Sequence, residues 1–301
     1  MNHFTIRDIE NLCGIKAHTL RIWEQRYKLF VPKRKESRHR IYDNDDLKEL
    51  LRISFLYHNG HKISKIADLS TDEIQQLVQS SCIKEENQEV FVLQLIEAGV
   101  DFDEEKFEKI VNCLVVRLGL EKCISTIFYP LLQRIGLLWM TNNVIPAQEH
   151  FVSHILRKKI ILATDGLEVD NNSRTDIVVF APPGEQHEIP LLVANYFFRK
   201  YNNRTSYFGV NVSVDCLEYY LQHHSVTHLY THVITHLSNG GLNNYIGTLC
   251  KKFPGKKIVL SGPASKCMEE IPANLQILHS LDEVIEFAKQ TAISTSALHN
   301  S

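Results

Sequence analysis

The 301-residue chain has no uninterrupted apolar run of about 18 residues, the length a membrane span needs. Its first residues, MNHFTIRDIENLC, lack the apolar centre of a secretory signal, so the cytoplasm is the expected compartment. Seven cysteines (Cys13, Cys82, Cys113, Cys123, Cys216, Cys250 and Cys267) include no C-x-x-C pair, and their number is odd. That spacing speaks against a disulfide framework or a thiolate zinc site and for buried free thiols. There are only three methionines, Met1, Met140 and Met268, so a Met-rich adaptable surface is absent. What remains is an ordinary globular composition, 44% hydrophobic and 23% charged, long enough for two or three domains.

Net charge is also nearly absent, at −2, but the balance hides an asymmetry. Residues 1–62 carry 13 basic and eight acidic side chains, and residues 16–40 carry nine against two. A basic head on an acidic body points to a polyanion at one end.

Within that head, Thr5 has the spacing of a helix N-cap with Asp8 three residues on, and Ile6, Ile9 and Leu12 follow at helical intervals up to Gly14. A second helix runs from Lys16 to Tyr27, placing Ile15, Leu20 and Trp23 inward and Lys16, Thr19, Arg21 and Arg26 toward a groove. Two short helices joined by a glycine turn have the form of a helix-turn-helix. The charged stretch Pro32–Tyr42 suits a two-stranded hairpin along phosphates, and Asp43-Asn44-Asp45-Asp46 caps a further helix reaching about His58. A charge run alone is equally a solvated surface; the order of elements favours the functional reading. FTIRDIENLCGIKAHTLRIWEQRY, the R-H-R-I-Y wing and the D-x-x-D-L helix together resemble the winged helix-turn-helix of the MerR family of bacterial transcription regulators, over about 70 residues. The resemblance implies a recognition helix in the major groove, with Lys16, His18, Thr19, Arg21 and Arg26 as its DNA-contacting residues. It implies Arg38, His39, Arg40 and Tyr42 as those of the wing. Which of Lys16, His18, Thr19 or Arg21 reads a base stays open; Trp23 is read as core.

The middle of the chain carries apolar stripes at Val90–Ala98, Phe107–Leu118, Glu121–Leu138 and Ala147–Leu162, lengths that suit a four-helix bundle. Trp139 precedes the pair Glu149-His150 by nine intervening residues across a helix junction; the pair by itself reads equally well as surface.

From residue 174 the pattern alternates. Strands at Ile177–Ala181, Thr205–Val210, Thr227–Ile234, Lys257–Ser261 and Leu275–Leu278 interleave with helices at Ile189–Tyr201, Val214–His223, Leu242–Phe253 and Leu281–Ala292. This predicts a Rossmann-like doubly wound parallel sheet with ligand-binding loops at the strand carboxyl ends. The expected fold class is therefore multidomain α plus α/β: a winged helix-turn-helix (1–72), a helical bundle (73–168) and a Rossmann-like domain (174–301). His228, His232 and His236 fall on one face of the third strand without an acidic neighbour, and a second metal site there is not expected.

The loop after the first of these strands reads PPGEQHEI, and a carboxylate two residues before a histidine can orient the imidazole for metal binding. In this position the loop resembles that of the cobalamin-binding domain of CarH/LitR-type regulators, and the D-x-H-x-x-G loop of cobalamin-dependent mutases and methyltransferases. The resemblance implies cobalamin, adenosylcobalamin in preference, with His187 ligating cobalt from below and Glu185 supporting it. It likewise assigns Trp139, Glu149 and His150, a complete W-x9-E-H pattern, to the upper face, which the bundle would cap. Thr235 and Leu237 stand for the family's S-x-L, and Ser261-Gly262 for a Gly-Gly turn that makes room for the nucleotide tail. The departures are Pro190 for the loop's closing glycine, the seryl group at 261, and Met140 where light-sensing relatives carry a histidine. With Met140, a two-histidine adduct after illumination is not expected.

The function these features imply is a DNA-binding transcriptional regulator, not an enzyme, and a repressor in sign. Cobalamin would control its oligomerisation, as a dimer or a ligand-driven tetramer, and its affinity for a double-stranded operator. The long antiparallel coiled coil of typical MerR dimers is not visible between residues 70 and 90, which makes ligand-driven assembly the natural alternative. The competing reading keeps the head but makes the tail a degenerate module for a protein partner or another ligand; a corrinoid enzyme ranks last.

Overall fold

A computed structural model describes residues 4–30, 33–34, 40–81, 88–140, 146–169, 175–235, 241–268 and 271–293. The chain divides into two compact units, residues 1–156 and 157–301.

In the first unit, α1 (Ile6–Cys13) opens with the predicted capping box: the Thr5 hydroxyl accepts from the Asp8 amide, and the Thr5 amide donates to the Asp8 carboxylate. Gly14 ends it in the left-handed conformation (φ 67°), where a Cβ would be strained. Helix α2 (Ala17–Tyr27) follows. Ala17 donates its amide to the Glu10 carboxylate at 3.1 Å, so the first helix caps the second. The two-residue strands β1 (Lys33–Arg34) and β2 (Arg40–Ile41) pair antiparallel as the expected hairpin. Helix α3 (Asn44–His58) is capped by Asp43 through a second capping box, as its acidic start predicts. Leu20, Trp23, Phe4, Leu47 and Leu51 are buried together in this head, with Trp23 edge-on to Tyr57 at 5.0 Å between centroids.

A one-turn helix, α4 (Ile63–Ile66), precedes α5 (Thr71–Ser81), at whose start Ser70 and Glu73 bond reciprocally. Helix α5 packs on α3. The bundle follows: α6 (Gln88–Asp101), α7 (Glu104–Leu118), α8 (Leu120–Cys123), α9 (Tyr129–Met140) and α10 (Pro146–Asp165). The stripe expected as one helix over 121–138 is continuous but contains a π-helical turn, Ile124–Phe128, just before Pro130. Proline has no amide hydrogen and its ring crowds the carbonyl four residues back, so widening the preceding turn lets the helix continue. Helix α10 closes the bundle by packing Phe151 edge-on against Phe102 and Phe107 and by donating the Gln148 amide to the Val100 carbonyl at 2.6 Å.

The head is fixed to the bundle by charge. Arg52 of α3 makes two 2.9 Å bonds to the carboxylate of Glu97 on α6, and Glu97 is 5% exposed. Lys48, one turn earlier, reaches both oxygens of Asp101 at 2.9 Å. Removing one partner of a buried pair strands the other charge in low dielectric. Arg52→Ala should therefore lower unfolding free energy by about 3 kcal/mol, as read from urea denaturation; a loss under about 1 kcal/mol would show that Lys106, 3.7 Å from Glu97, suffices as its partner.

The second unit holds a five-stranded parallel sheet of order β4-β3-β5-β6-β7: β3 (Asp176–Phe180), β4 (Arg204–Gly209), β5 (His228–His232), β6 (Lys257–Ser261) and β7 (Leu275–Leu278). Helices α11 (Ile189–Lys200), α12 (Val214–His223), α13 (Gly241–Lys252) and α14 (Leu281–Ile293) connect and cover it, matching the predicted alternation to within a few residues at each boundary. A one-turn 3₁₀ helix, Pro263–Cys267, follows β6. One face of the sheet packs Val178, Phe180, Leu229, Val233, Ile258 and Leu260 with Leu217 of α12 and Leu249 of α13. Against the other lie Phe198 of α11 and Phe287 of α14, edge-on to Tyr230 and His228. Numbered within the unit, the order is 2-1-3-4-5, so the strand order reverses between β3 and β5, and ligands in such sheets bind outside that point.

Candidate functional site

The loop that leaves β3 and the loop that leaves β5 meet at this reversal, and one carboxylate joins them. Glu185 is 0% exposed. Its Oε1 accepts from the His187 amide at 2.9 Å and from His187 Nδ1 at 2.6 Å; its Oε2 accepts from the amides of Ile234 (2.7 Å) and Thr235 (2.9 Å) and from the Thr235 hydroxyl (3.0 Å). Burial opposes the charge, yet the His187 bonds and the amides of Thr235 and Ile234 outweigh it and hold the carboxyl well below the usual range. Because an ionised carboxylate only accepts, the hydrogen of His187 sits on Nδ1, which places the lone pair on Nε2. The His187 side chain is 49% exposed. A half-exposed imidazole, its tautomer fixed by a buried acid, is suited to ligate a transition metal.

The structure brings Glu185 and His187 together, the pair that the spacing suggests, and adds Thr235, whose hydroxyl donates to the acid. Leu237 and His236 lie outside the described residues. Pro190 sits in the first turn of α11, where an amide hydrogen has no helical partner, so its replacement of glycine is locally harmless. Gly262 is required: at φ 99° a Cβ would stand 2.4 Å from the Val233 carbonyl oxygen.

Ser261 is 2% exposed, and its hydroxyl lies 2.7 Å from the Tyr230 hydroxyl and 2.8 Å from His232 Nδ1. This inward polar network is not signalled by any sequence motif; it follows from Tyr230 and His232 alternating onto the same face of β5. Burial pushes the histidines down to about 4 for both His232 and His228. The unfolded chain protonates them near 6.5, so it binds more protons than the folded unit at every pH between about 6.5 and 4. Stability is then full above 6.5 and falls as the pH drops through that window. Melting temperature against pH should decline there, and His232→Gln should flatten the decline; an unchanged slope would show that His232 does not titrate in this range.

In the first unit, α10 places Glu149 and His150 in a 2.9 Å contact, His150 being 76% and Glu149 34% exposed. Trp139 and Met140 lie in α9, with side chains outside the description.

The DNA-contact residues separate clearly. His18 and Arg21 are exposed on α2, as is Arg26 one turn further on; Thr19 is half-buried with its hydroxyl toward His18. Lys16 caps α2, exposed, with a 3.0 Å ion pair to Glu10. Arg40 gives its Nε to Glu24 of α2 at 2.6 Å, bracing the hairpin. Arg38 and His39 lie outside the described residues. Tyr42 corrects the sequence reading: it is 0% exposed, bridged to Phe4 and edge-on to Phe30, so it belongs to the core and has no surface for a phosphate. Two backbone bonds to Phe4, at 2.8 and 3.0 Å, carry Tyr42 from the end of β2 into the core of the head. Ile22 and Gln25 are exposed beside Arg21, which a reading by charge alone does not single out.

Residues 4–78 match the MerR HTH family regulatory protein model, and residues 92–163 match the B12 binding domain model. The HTH-type transcriptional repressor CarH of Myxococcus xanthus is 24% identical over 220 residues, 71% of this chain and 73% of that protein. The repressor CarA of the same organism is 21% identical over 216 residues, 71% and 70% of the two chains. Among solved structures, the monomethylamine corrinoid protein of Methanosarcina barkeri aligns with a TM-score of 0.56 and 17% identity, covering 68% of this chain and 99% of that one, a likeness of fold. The chain thus joins a segment that matches the MerR HTH model to one that matches the B12 binding domain model, and it is similar to the CarH and CarA repressors over about 71% of its length.

Proposed function

We propose that this protein is a cobalamin-controlled, DNA-binding transcriptional repressor, with a head at 1–72, a bundle at 73–168 and a cobalamin-binding sheet domain at 174–301. The observation that carries the cofactor assignment is the Glu185–His187 bond at the sheet reversal, joined to the B12 domain match and the homology with CarH. Cobalamin, when bound, would supply a cobalt ion that takes an imidazole nitrogen as a ligand. His187 would hold it through Nε2, Glu185 would keep the ring oriented and its Nδ1 protonated, and Thr235 and the Ile234 amide would keep Glu185 ionised. Adenosylcobalamin is the preferred form on the strength of Trp139, Glu149 and His150, which the resemblance assigns to the upper face. Control of DNA affinity would run through assembly: a ligand favours whichever oligomer binds it more tightly, and that oligomer presents several heads to one cytoplasmic operator.

One observation favours the second reading, a sheet domain that takes another ligand or a protein partner. Ser261 stands where a glycine is expected, and its hydroxyl is tied into the network with Tyr230 and His232. The two readings differ in whether adenosylcobalamin changes operator affinity and sedimentation of the full chain.

The head is tested by salt. Neutralised phosphates release counterions, so affinity should fall steeply with salt concentration, and Arg38→Ala should reduce the log–log slope by about one unit. Salt-insensitive binding would refute the head assignment.

A further inference from the structure

The recognition helix carries a face whose composition says what it reads. On α2 the exposed residues His18, Arg21, Ile22 and Gln25 fall at i, i+3, i+4 and i+7, one continuous stripe opposite the buried Leu20 and Trp23. The stripe is about 10 Å long at 1.5 Å per residue, the span of about three base pairs. Ile22 lies in its middle and is 50% exposed, the one apolar side chain among the exposed residues of α2. The acids bordering the stripe are neutralised from within, Glu24 by Arg40 at 2.6 Å and Glu10 by Lys16 at 3.0 Å. Among the described residues no acid pairs with Arg21 or Arg26, so the face presents positive charge to a partner, which fits the phosphates of a nucleic acid.

We propose that Ile22 is a specificity-determining residue that reads thymine through its C5-methyl group in the major groove, between the positions offered to Arg21 and Gln25. A half-exposed isoleucine costs hydration in the free protein and gains nothing from phosphate, but the major groove has one apolar feature that would bury it, the thymine methyl. Its neighbours supply the hydrogen-bonding partners for adjacent bases: the Arg21 guanidinium pairs with the O6 and N7 of guanine, and the Gln25 amide with the N6 and N7 of adenine. The inference rests on the DNA-binding reading of the head and goes beyond it by naming a residue and the base group it recognises.

The test uses the full-length chain and a randomised double-stranded DNA library. Sequences enriched by wild-type protein are resynthesised with each thymine replaced singly by deoxyuridine, which removes only the methyl. At one position per half-site the replacement should weaken wild-type binding about three- to fivefold and leave Ile22→Ala unaffected, with Ile22→Ala itself weaker on the parent site by a similar factor. Ile22 is exposed, so the variant should melt with the wild type. If every uracil replacement affects wild type and Ile22→Ala alike, Ile22 does not read a methyl, and the head reading stands. If wild type enriches nothing and shows no salt-dependent affinity for DNA, the head reading falls and takes this inference with it.

Discussion

Glu185→Ala should destabilise the second unit by about 3 kcal/mol or more and abolish cobalamin retention. The carboxylate is fully buried and accepts five hydrogen bonds, three of them from backbone amides of two different loops. Alanine leaves those amides facing a cavity without an acceptor, and each unsatisfied buried donor costs about 1–3 kcal/mol. Water entering the space would recover part of that loss, which keeps the expected total near the lower end of the sum. Glu185→Gln preserves the volume but turns an amide donor toward one group of donors, so an intermediate loss is expected. Urea denaturation of the full chain, followed by fluorescence and by circular dichroism, measures both. A Glu185→Ala protein as stable as wild type would mean that the loops do not depend on this carboxylate.

His187→Ala should differ in stability, which it should change little, while costing at least about a 100-fold loss of cobalamin affinity. The side chain is half exposed, so its removal opens no cavity. Loss of an outer partner of a metal ligand already costs about 10- to 100-fold in affinity, and loss of the ligand itself costs at least as much. The contrast between the two variants separates a framework role from a ligand role. Equal affinity of wild type and His187→Ala in equilibrium dialysis would remove His187 from the site.

The fold was legible because its signals were local. Thr5 with Asp8 and Asp43 with Asp46 announce capping boxes that the chain forms. The uninterrupted run around Ile177–Phe180 announces a strand buried on both faces, and β3 is an interior strand, between β4 and β5. The π-helical turn before Pro130 is a compromise between a continuous apolar stripe and a residue that cannot donate, which a periodicity analysis does not resolve. Of the site, Glu185 and His187 could be found by spacing; the support that Glu185 draws from Ile234 and Thr235 could not, because it depends on two loops about 50 residues apart meeting at the carboxyl ends of β3 and β5. The same holds for Ser261, whose burial between Tyr230 and His232 is set by the pairing of β5 with β6. Tyr42, a wing contact by resemblance, is core because its pairing with Phe4 brings together segments 38 residues apart.

The central claim is that the sheet domain binds cobalamin through His187. Purified full-length protein is incubated in the dark with adenosylcobalamin, freed of unbound cofactor on a desalting column, and its visible spectrum recorded beside that of His187→Ala. The account predicts retained corrinoid absorbance with a histidine-ligated spectrum in the wild type and none, or an altered spectrum, in the variant. A wild-type fraction without corrinoid absorbance, or one whose spectrum His187→Ala leaves unchanged, would contradict it.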